Sequence, residues 1–273
     1  MENKKHITSL QNPLVKKVLL LQEKSRERRN SGLFVLEGGR ELQLALQSGY
    51  EIVTVFFYAE LIAEKEVTGR LKKGKSHPEI IEVSKPVYQK LAYRDTTGGL
   101  LAIVKSGSHS LNNLRLKNKN PLILVAEAPE KPGNIGALLR TADAAKLDAI
   151  IIANPKTDLY NPNIIRSSVG CIFTGNVATG SSADVITFLK EKKIPIHCAA
   201  LSASKSYLQS DFTLPTAIVV GTEAEGLTDE WLQSSDQNII IPMEGQIDSM
   251  NVSVSAAILI FEAKRQRTVS SEQ

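Results

Sequence analysis

The residues best placed to do chemistry lie in three polar stretches, 127–134, 221–226 and 243–251, each preceded by a short apolar run. The second, Gly221-Thr222-Glu223-Ala224-Glu225-Gly226, is bounded by glycines and holds two carboxylates, which would repel a phosphate held in so tight a turn. No G-x-G-x-x-G follows the apolar run 121–125, and no G-x-x-x-x-G-K-S/T occurs anywhere. Dinucleotide and phosphate-loop sites are therefore excluded. The histidines His6, His77, His109 and His197 all fall outside the three stretches, which argues against a hydrolase triad or a zinc centre. A ligand with no phosphate and a positive centre suits these loops, and S-adenosylmethionine has both properties.

Such loops converge only if a parallel sheet aligns the strands before them. The pattern supplies one. Pro121–Val125, Ala149–Ala153, Ile194–Ala199, Ala217–Val220 and 238–242 are short, β-branched and apolar, as strands buried on both faces are. Residues 172–178 are read as a further strand. Helices are expected over 135–146, opened by Pro132-Gly133-Asn134 with Asn134 as a capping residue, over 162–169 up to Gly170, over 183–192 from Ser182, and over 228–233. Ser249 and Asn251 are candidate caps for a last helix that is apolar almost all round through Phe261, a pattern expected of a helix buried on most sides. Ahead of this lies a second alternation. Helix 12–30 with Pro13 in its first turn, strand Leu33–Leu36, helix 41–48, strand Ile52–Tyr58, helix 59–73, strand Ile80–Val83, helix 85–93 and strand Leu100–Val104 make a compact α/β module. The expected division is thus an N-terminal domain 1–105, a polar linker 106–120 and a C-terminal domain 121–273 with a doubly wound α/β pattern.

The 273 residues, 42% hydrophobic and 23% charged, suffice for one large or two medium domains. No apolar run is long enough to span a membrane, and no signal core follows Met1-Glu2-Asn3-Lys4-Lys5-His6. Cys171 and Cys198 form neither a metal cluster nor a disulfide framework, so a reducing cytoplasm is the simplest compartment. The net charge of +4 is unevenly spread. Residues 1–30 carry Lys4, Lys5, Lys16, Lys17, Lys24, Arg26, Arg28 and Arg29, and Thr96–Ala126 has Lys105, Arg115, Lys117 and Lys119 but no acid. Solvated faces explain any one such run; together they also fit phosphate contact with a nucleic acid.

The stretches Asn134-Ile135-Gly136-Ala137-Leu138-Leu139-Arg140-Thr141-Ala142, Gly221 to Leu227, and Ile241-Pro242-Met243-Glu244-Gly245 with Ser249-Met250-Asn251-Val252-Ser253-Val254-Ser255 resemble, in order and spacing, the three motifs of the SpoU (TrmH-type) branch of the SPOUT RNA methyltransferases. Ile7-Thr8-Ser9-Leu10-Gln11-Asn12-Pro13 and Phe34-Val35-Leu36-Glu37-Gly38 resemble the RNA-binding extension of many members. Ala224 stands where glycine is usual and Met250 where leucine is usual.

That resemblance implies a small N-terminal α/β RNA-binding domain and a C-terminal parallel-sheet domain whose last segment threads a deep trefoil knot. It implies a homodimer, S-adenosylmethionine held by Gly221, Ile241 and Met250, and methylation of a ribose 2′-hydroxyl in RNA. Ribosomal RNA is favoured over tRNA because of the separate N-terminal module. Its catalytic set falls on Asn134, Arg140, Glu223, Ser249 and Asn251. Because a guanidinium stays protonated, Arg140 is read here as stabilising the developing alkoxide rather than as a base. Each of these residues has a plain structural alternative: a surface ion pair for Arg140, helix capping for Asn134, Glu223, Ser249 and Asn251. A non-catalytic RNA-binding or ribosome-assembly scaffold is the competing function.

Overall fold

The computed structural model describes residues 5–72, 74, 76–93, 98–203, 205–222, 225–246 and 249–271. The chain runs through β1 (His6–Ile7), α1 (Pro13–Glu23), α2 (Ser25–Ser31), β2 (Leu33–Glu37), α3 (Gly39–Gln47), β3 (Ile52–Phe57), α4 (Glu64–Leu71), β4 (Glu79–Val83), α5 (Lys85–Leu91) and β5 (Leu100–Lys105). It continues through β6 (Leu122–Glu127), α6 (Pro132–Ala144), β7 (Ala149–Ala153), α7 (Pro162–Ser167), α8 (Cys171–Thr174), β8 (Val177–Gly180), α9 (Ser182–Glu191), β9 (Ile196–Ala199), β10 (Lys205–Ser206), β11 (Thr216–Val220), α10 (Asp229–Ser234), β12 (Gln237–Ile240) and α11 (Val252–Ser271).

These elements form two compact units, residues 1–107 with 158–174, and residues 108–157 with 175–273. In the first, five strands pair in the order β1-β4-β3-β5-β2, with β2 and β3 antiparallel to β5 and the rest parallel. Val15, Val18 and Leu21 of α1 recur at helical spacing and pack with Val35, Phe56 and Ile81 of the sheet. The helix expected over 12–30 is broken at Lys24, whose extended backbone separates α1 from α2. Asn12 caps α1 as its type predicts, accepting from Leu14 N at 2.9 Å.

Segment 158–174, read from the sequence as part of the second module, packs with the first unit. Asp158 accepts from Arg28 Nε at 2.9 Å and Nη2 at 2.7 Å, a bidentate pair with the two side chains 3% and 13% exposed. Tyr160 stacks on Phe34 at 4.2 Å between ring centres, and its hydroxyl accepts from Gly107 N at 2.7 Å. Arg28 is therefore withdrawn from the basic run of residues 1–30 and cannot serve as a phosphate contact. Within this segment 171–174 is helical, and the strand expected over 172–178 begins only at Val177.

The second unit holds seven strands in the order β10-β12-β9-β11-β6-β7-β8, every pairing parallel. All residues of β6, β7 and β11 are buried, Glu127 and Thr216 included, as expected of largely apolar strands covered on both faces. The polar stretch after β5 is not a loose connection throughout. A bridge joins Ser110 to Thr179 at the β8 edge, and Leu114 packs in the core of this unit. Helix α11 lies on α6 and β11. This strand order and the return of the C-terminal helix onto α6 are compatible with the threaded topology that the sequence resemblance implies.

Candidate cofactor and active site

Gly221 follows β11 at the carboxyl edge of the parallel sheet, where strand order sets which loops can meet. Its neighbours on that side are β9 and then β12, so the loops after all three lie side by side. Together with residues 249–255 they enclose a cavity of about 360 Å3. Gly221, Ile241 and Met250, the expected cofactor contacts, all stand on its wall, as does Ser249. The remaining lining is largely apolar, from Val220, Leu227, Leu232 and Ile239, with Ser202, Thr222 and Glu225 as polar points. An apolar slot with few polar groups is the usual character of a small-molecule site, and the volume falls in the ~300–1,000 Å3 range of such sites.

The Gly221 loop is built for close approach. Thr222 N donates to Gly226 O at 3.0 Å and Gly226 N to Thr222 O at 3.1 Å, folding the turn back on itself. A Cβ on Gly221 would meet the carbonyl of Gly226 and sit 2.5 Å from Leu227 N. Only glycine allows that crossing. Gly226, at φ +71°, closes the same turn from its other end.

The loop is also anchored from below. Glu127, 2% exposed at the end of β6, accepts from Thr228 N at 2.9 Å, Thr228 Oγ1 at 2.8 Å and Ser182 Oγ at 3.1 Å. Ser182 Oγ accepts in turn from Trp231 Nε1 at 2.8 Å and Asn154 Nδ2 at 2.9 Å. This buried network fixes the start of α10, and with it the Gly221–Leu227 turn, against the end of β6. Sequence reasoning passed over Glu127. Its one signal is a carboxylate ending a strand whose other residues are all apolar, a position that burial makes costly without partners.

The expected catalytic residues are only partly gathered. Asn251 Nδ2 donates to Asn134 Oδ1 at 3.1 Å, joining the first and third motifs across 117 positions of sequence. Asn251 Oδ1 accepts from Ser253 N at 2.9 Å and Ser253 Oγ at 2.6 Å, so it caps α11 as expected. Asn134 is not a cap. Helix α6 starts earlier, with Lys131 at its N-cap and Pro132 in its first turn, so Asn134 lies inside it. Pro132 has no N–H to lose there and presets the helical φ, which explains the earlier start. Asn134 Nδ2 is buried and has no hydrogen-bond partner among the described residues. Arg140 is exposed and does not line the cavity. Six residues along a helix turn a side chain by about 120° relative to the first, so Asn134 cannot direct Arg140 of the same chain toward the same point. Glu223 lies outside the described residues.

Two expectations about the loops are revised. Residues 127–134 do not border this cavity; Glu127, Ala128 and Glu130 face a neighbouring cleft that shares Thr222 and Glu225–Leu227 as its wall. Conversely, Ala199–Ser202 after β9 line the cavity, although no motif marked them. Within β9, burial pushes the Cys198 thiol up to about 12, so it stays protonated and packs as a core residue. Among the described residues no cluster of His, Cys, Asp and Glu could hold a metal ion, and no helix is long and apolar enough to cross a membrane.

Comparison with known proteins yields consistent likenesses. The profile of the SpoU rRNA Methylase family matches residues 121–261, and that of the MRM3-like substrate binding domain matches residues 12–102. The chain is 27% identical over 260 residues to the 23S rRNA (guanosine(2553)-2′-O)-methyltransferase RlmP of Bacillus subtilis, covering 95% of this chain and 99% of the relative. A crystal structure of an RNA 2′-O ribose methyltransferase superposes with a TM-score of 0.82 at 38% identity, covering 96% of this chain and 99% of the other. An AdoMet-bound rRNA methyltransferase from Sinorhizobium meliloti superposes with a TM-score of 0.86 at 26% identity, covering 96% and 97%.

Proposed function

Because the chain belongs to the SpoU rRNA methylase family, we propose that it transfers a methyl group from S-adenosylmethionine to a ribose 2′-hydroxyl of ribosomal RNA. The observation that carries this reading is the meeting of Gly221, Ile241, Ser249 and Met250 around one cavity, from stretches far apart in sequence. The cofactor fits the donor set: apolar side chains for a flat base, an exposed turn of backbone at Gly221, and the carboxylate of Glu225 on the rim for a positive centre. When bound, it supplies the activated methyl group. The chain's own residues do the rest.

Asn134 offers a buried donor with no partner among the described residues, and Asn251 holds its oxygen so that this donor keeps one orientation. The pair positions the RNA ribose near the third motif. Arg140 stabilises the alkoxide that forms as the hydroxyl loses its proton, and grips an adjacent phosphate. Its exposure on α6, away from the wall of its own cavity, supports its acting on the site of a second copy. Val254 and Phe261, seven residues apart on one face of α11, are 47% and 51% exposed despite being apolar. A homodimer that covers this face accounts for the almost uniformly apolar helix, whose single-chain burial is incomplete. Relatives named as acting on 23S rRNA match nearly the full chain, which supports ribosomal RNA over tRNA and a cytoplasmic place of action.

The test is transfer of labelled methyl from S-adenosylmethionine to RNA from cells lacking this protein, followed by mapping of ribose methylation. The parent protein is expected to mark one site. Arg140→Ala is expected to bind cofactor normally and to lose transfer by about 100-fold, the usual scale for one electrostatic donor. Failure to bind S-adenosylmethionine at millimolar concentration would leave only a scaffold role.

A further inference from the structure

Tyr93 follows α5 in the first unit with its side chain outside the core, 57% exposed. An exposed tyrosine is ordinarily free to move, but this one is fixed at two points. Glu37 Oε1 accepts from its backbone N–H at 3.0 Å, and the Arg166 guanidinium lies 4.0 Å from the centre of its ring. Arg166 is itself held, its Nη2 donating to Asn163 Oδ1 at 2.8 Å. One face of the ring is thus occupied by a cation, while the exposure of the residue leaves surface for a second planar group.

Beside this pair is a cavity of about 380 Å3, enough for one nucleotide. Its lining combines Tyr93 and Arg166 with Gly38, Gly39 and Arg40, where β2 passes into α3, and with the carboxylates of Glu37 and Glu41. Gly38 takes φ +102°, and the Glu41 carboxylate folds back beside it, so the start of α3 is already covered by an acid and the exposed Arg40 is the group on this wall suited to a phosphate. An aromatic face for a base and an arginine for its phosphate stand on one wall.

We propose that the Tyr93–Arg166 pair is a stacking platform for an unpaired nucleotide of the RNA substrate, with its phosphate at Arg40. This deepens the proposed function and rests on RNA being the substrate. Base-paired RNA keeps its bases stacked on each other, so the platform selects a loop, bulge or single strand. It contributes to substrate capture and plays no part in cofactor binding, since Tyr93, Arg40 and Arg166 are absent from the cofactor cavity.

The experiment titrates the full protein with a single-stranded hexanucleotide carrying 2-aminopurine, and with a blunt RNA duplex of the same length. The expected result is quenching of the fluorescent base by the parent protein. Loss of one base–aromatic stack should weaken single-strand binding about 5- to 100-fold in Tyr93→Ala, with Tyr93→Phe close to parent. Duplex binding should change less than twofold. Arg166→Met, which keeps length but not charge, should fall between. Tyr93→Ala binding the hexamer like the parent would overturn the proposal, and so would an equal loss for single strand and duplex. Calorimetry with S-adenosylmethionine on the same variants separates the two readings. A platform defect with intact cofactor binding speaks to this site alone, whereas absent cofactor binding in the parent speaks against the methyltransferase reading.

Discussion

Replacing Gly221 with alanine puts a methyl group where two backbone segments cross. The new Cβ would meet the Gly226 carbonyl and lie 2.5 Å from Leu227 N. Carbon contacts settle near ~3.5 Å, so the turn must open by at least about 1 Å. The neighbours are backbone, and they are tied. Gly226 pairs with Thr222 in both directions, and the next residue but one, Thr228, is held by Glu127 at 2.9 Å. Opening the turn sacrifices the two Thr222–Gly226 hydrogen bonds, at about 0.5–1.5 kcal/mol each, or about 1–3 kcal/mol together. In a protein of this size that lowers Tm by about 2–10 °C. The larger effect falls on ligand binding, because Gly221, Thr222, Gly226 and Leu227 form one wall of the cavity. Calorimetry should show S-adenosylmethionine binding weakened at least tenfold. Gly133→Ala serves as the control: a Cβ there meets nothing within 4 Å, and alanine is tolerated in the first turn of the helix it sits in. If Gly221→Ala bound cofactor as tightly as Gly133→Ala, close backbone approach would not be what this glycine is for.

Glu127→Ala takes the acceptor from the buried Ser182 Oγ, at about 1–3 kcal/mol, releases Thr228 N, and should lower both Tm and cofactor affinity by loosening the same turn from beneath; a melting curve within a degree of the parent's would contradict the anchoring role. Phe261→Asp places a charge on the exposed apolar face of α11, and light scattering is expected to find a dimer for the parent and a monomer for the variant; an equal mass for the two would put any subunit contact elsewhere. Burial lowers the pKa of both His109 and His197 below the ordinary imidazole value. The unfolded chain therefore binds more protons than the folded one near that value, so stability is full above about pH 6.5 and falls as pH drops through it. Thermal melts at pH 8 and pH 5.5 should show this loss, reduced when His197 is replaced by glutamine.

The apolar runs at 121–125, 149–153 and 217–220 are legible because a parallel strand buried on both faces has a pattern that nothing else so short requires. The alternation of strands and helices in the first unit was readable for the same reason, and the three motifs pointed to Gly221, Ile241 and Met250. Strand order was not readable. Periodicity says that a segment is a strand, not which strands neighbour it, and the order β12-β9-β11-β6 alone decides that Ala199–Ser202 reach the cavity while Ala128 and Glu130 face another cleft. The grouping of segment 158–174 with the first unit was hidden in a similar way. Asp158 and Tyr160 are ordinary loop residues until Arg28 and Phe34, more than a hundred positions earlier, are placed beside them. Asn134 was misread as a cap because Asn is a strong capping type, while Pro132 two residues earlier sets the start of the helix more firmly.

That shift in where α6 starts bears directly on the chemistry. Asn134 faces Asn251 and the third motif, and Arg140, turned about 120° from it, points elsewhere. One copy of α6 cannot bring both to one ribose. Either Arg140 plays no part in transfer, or the cavity of one subunit receives Arg140 from the α6 of another. The second alternative uses the same face that leaves Val254 and Phe261 in solvent, since α11 packs on α6 and the two helices share a surface. It makes a separable claim about mixed dimers. A subunit carrying Gly221→Ala but an intact Arg140, paired with one carrying Arg140→Ala but an intact Gly221, keeps one complete site. Each such heterodimer should have about half of the parental activity, so an equimolar mixture after free exchange should recover about a quarter of it, whereas each variant alone is nearly inactive. No recovery on mixing, with subunit exchange verified, would mean that Arg140 serves its own chain or none.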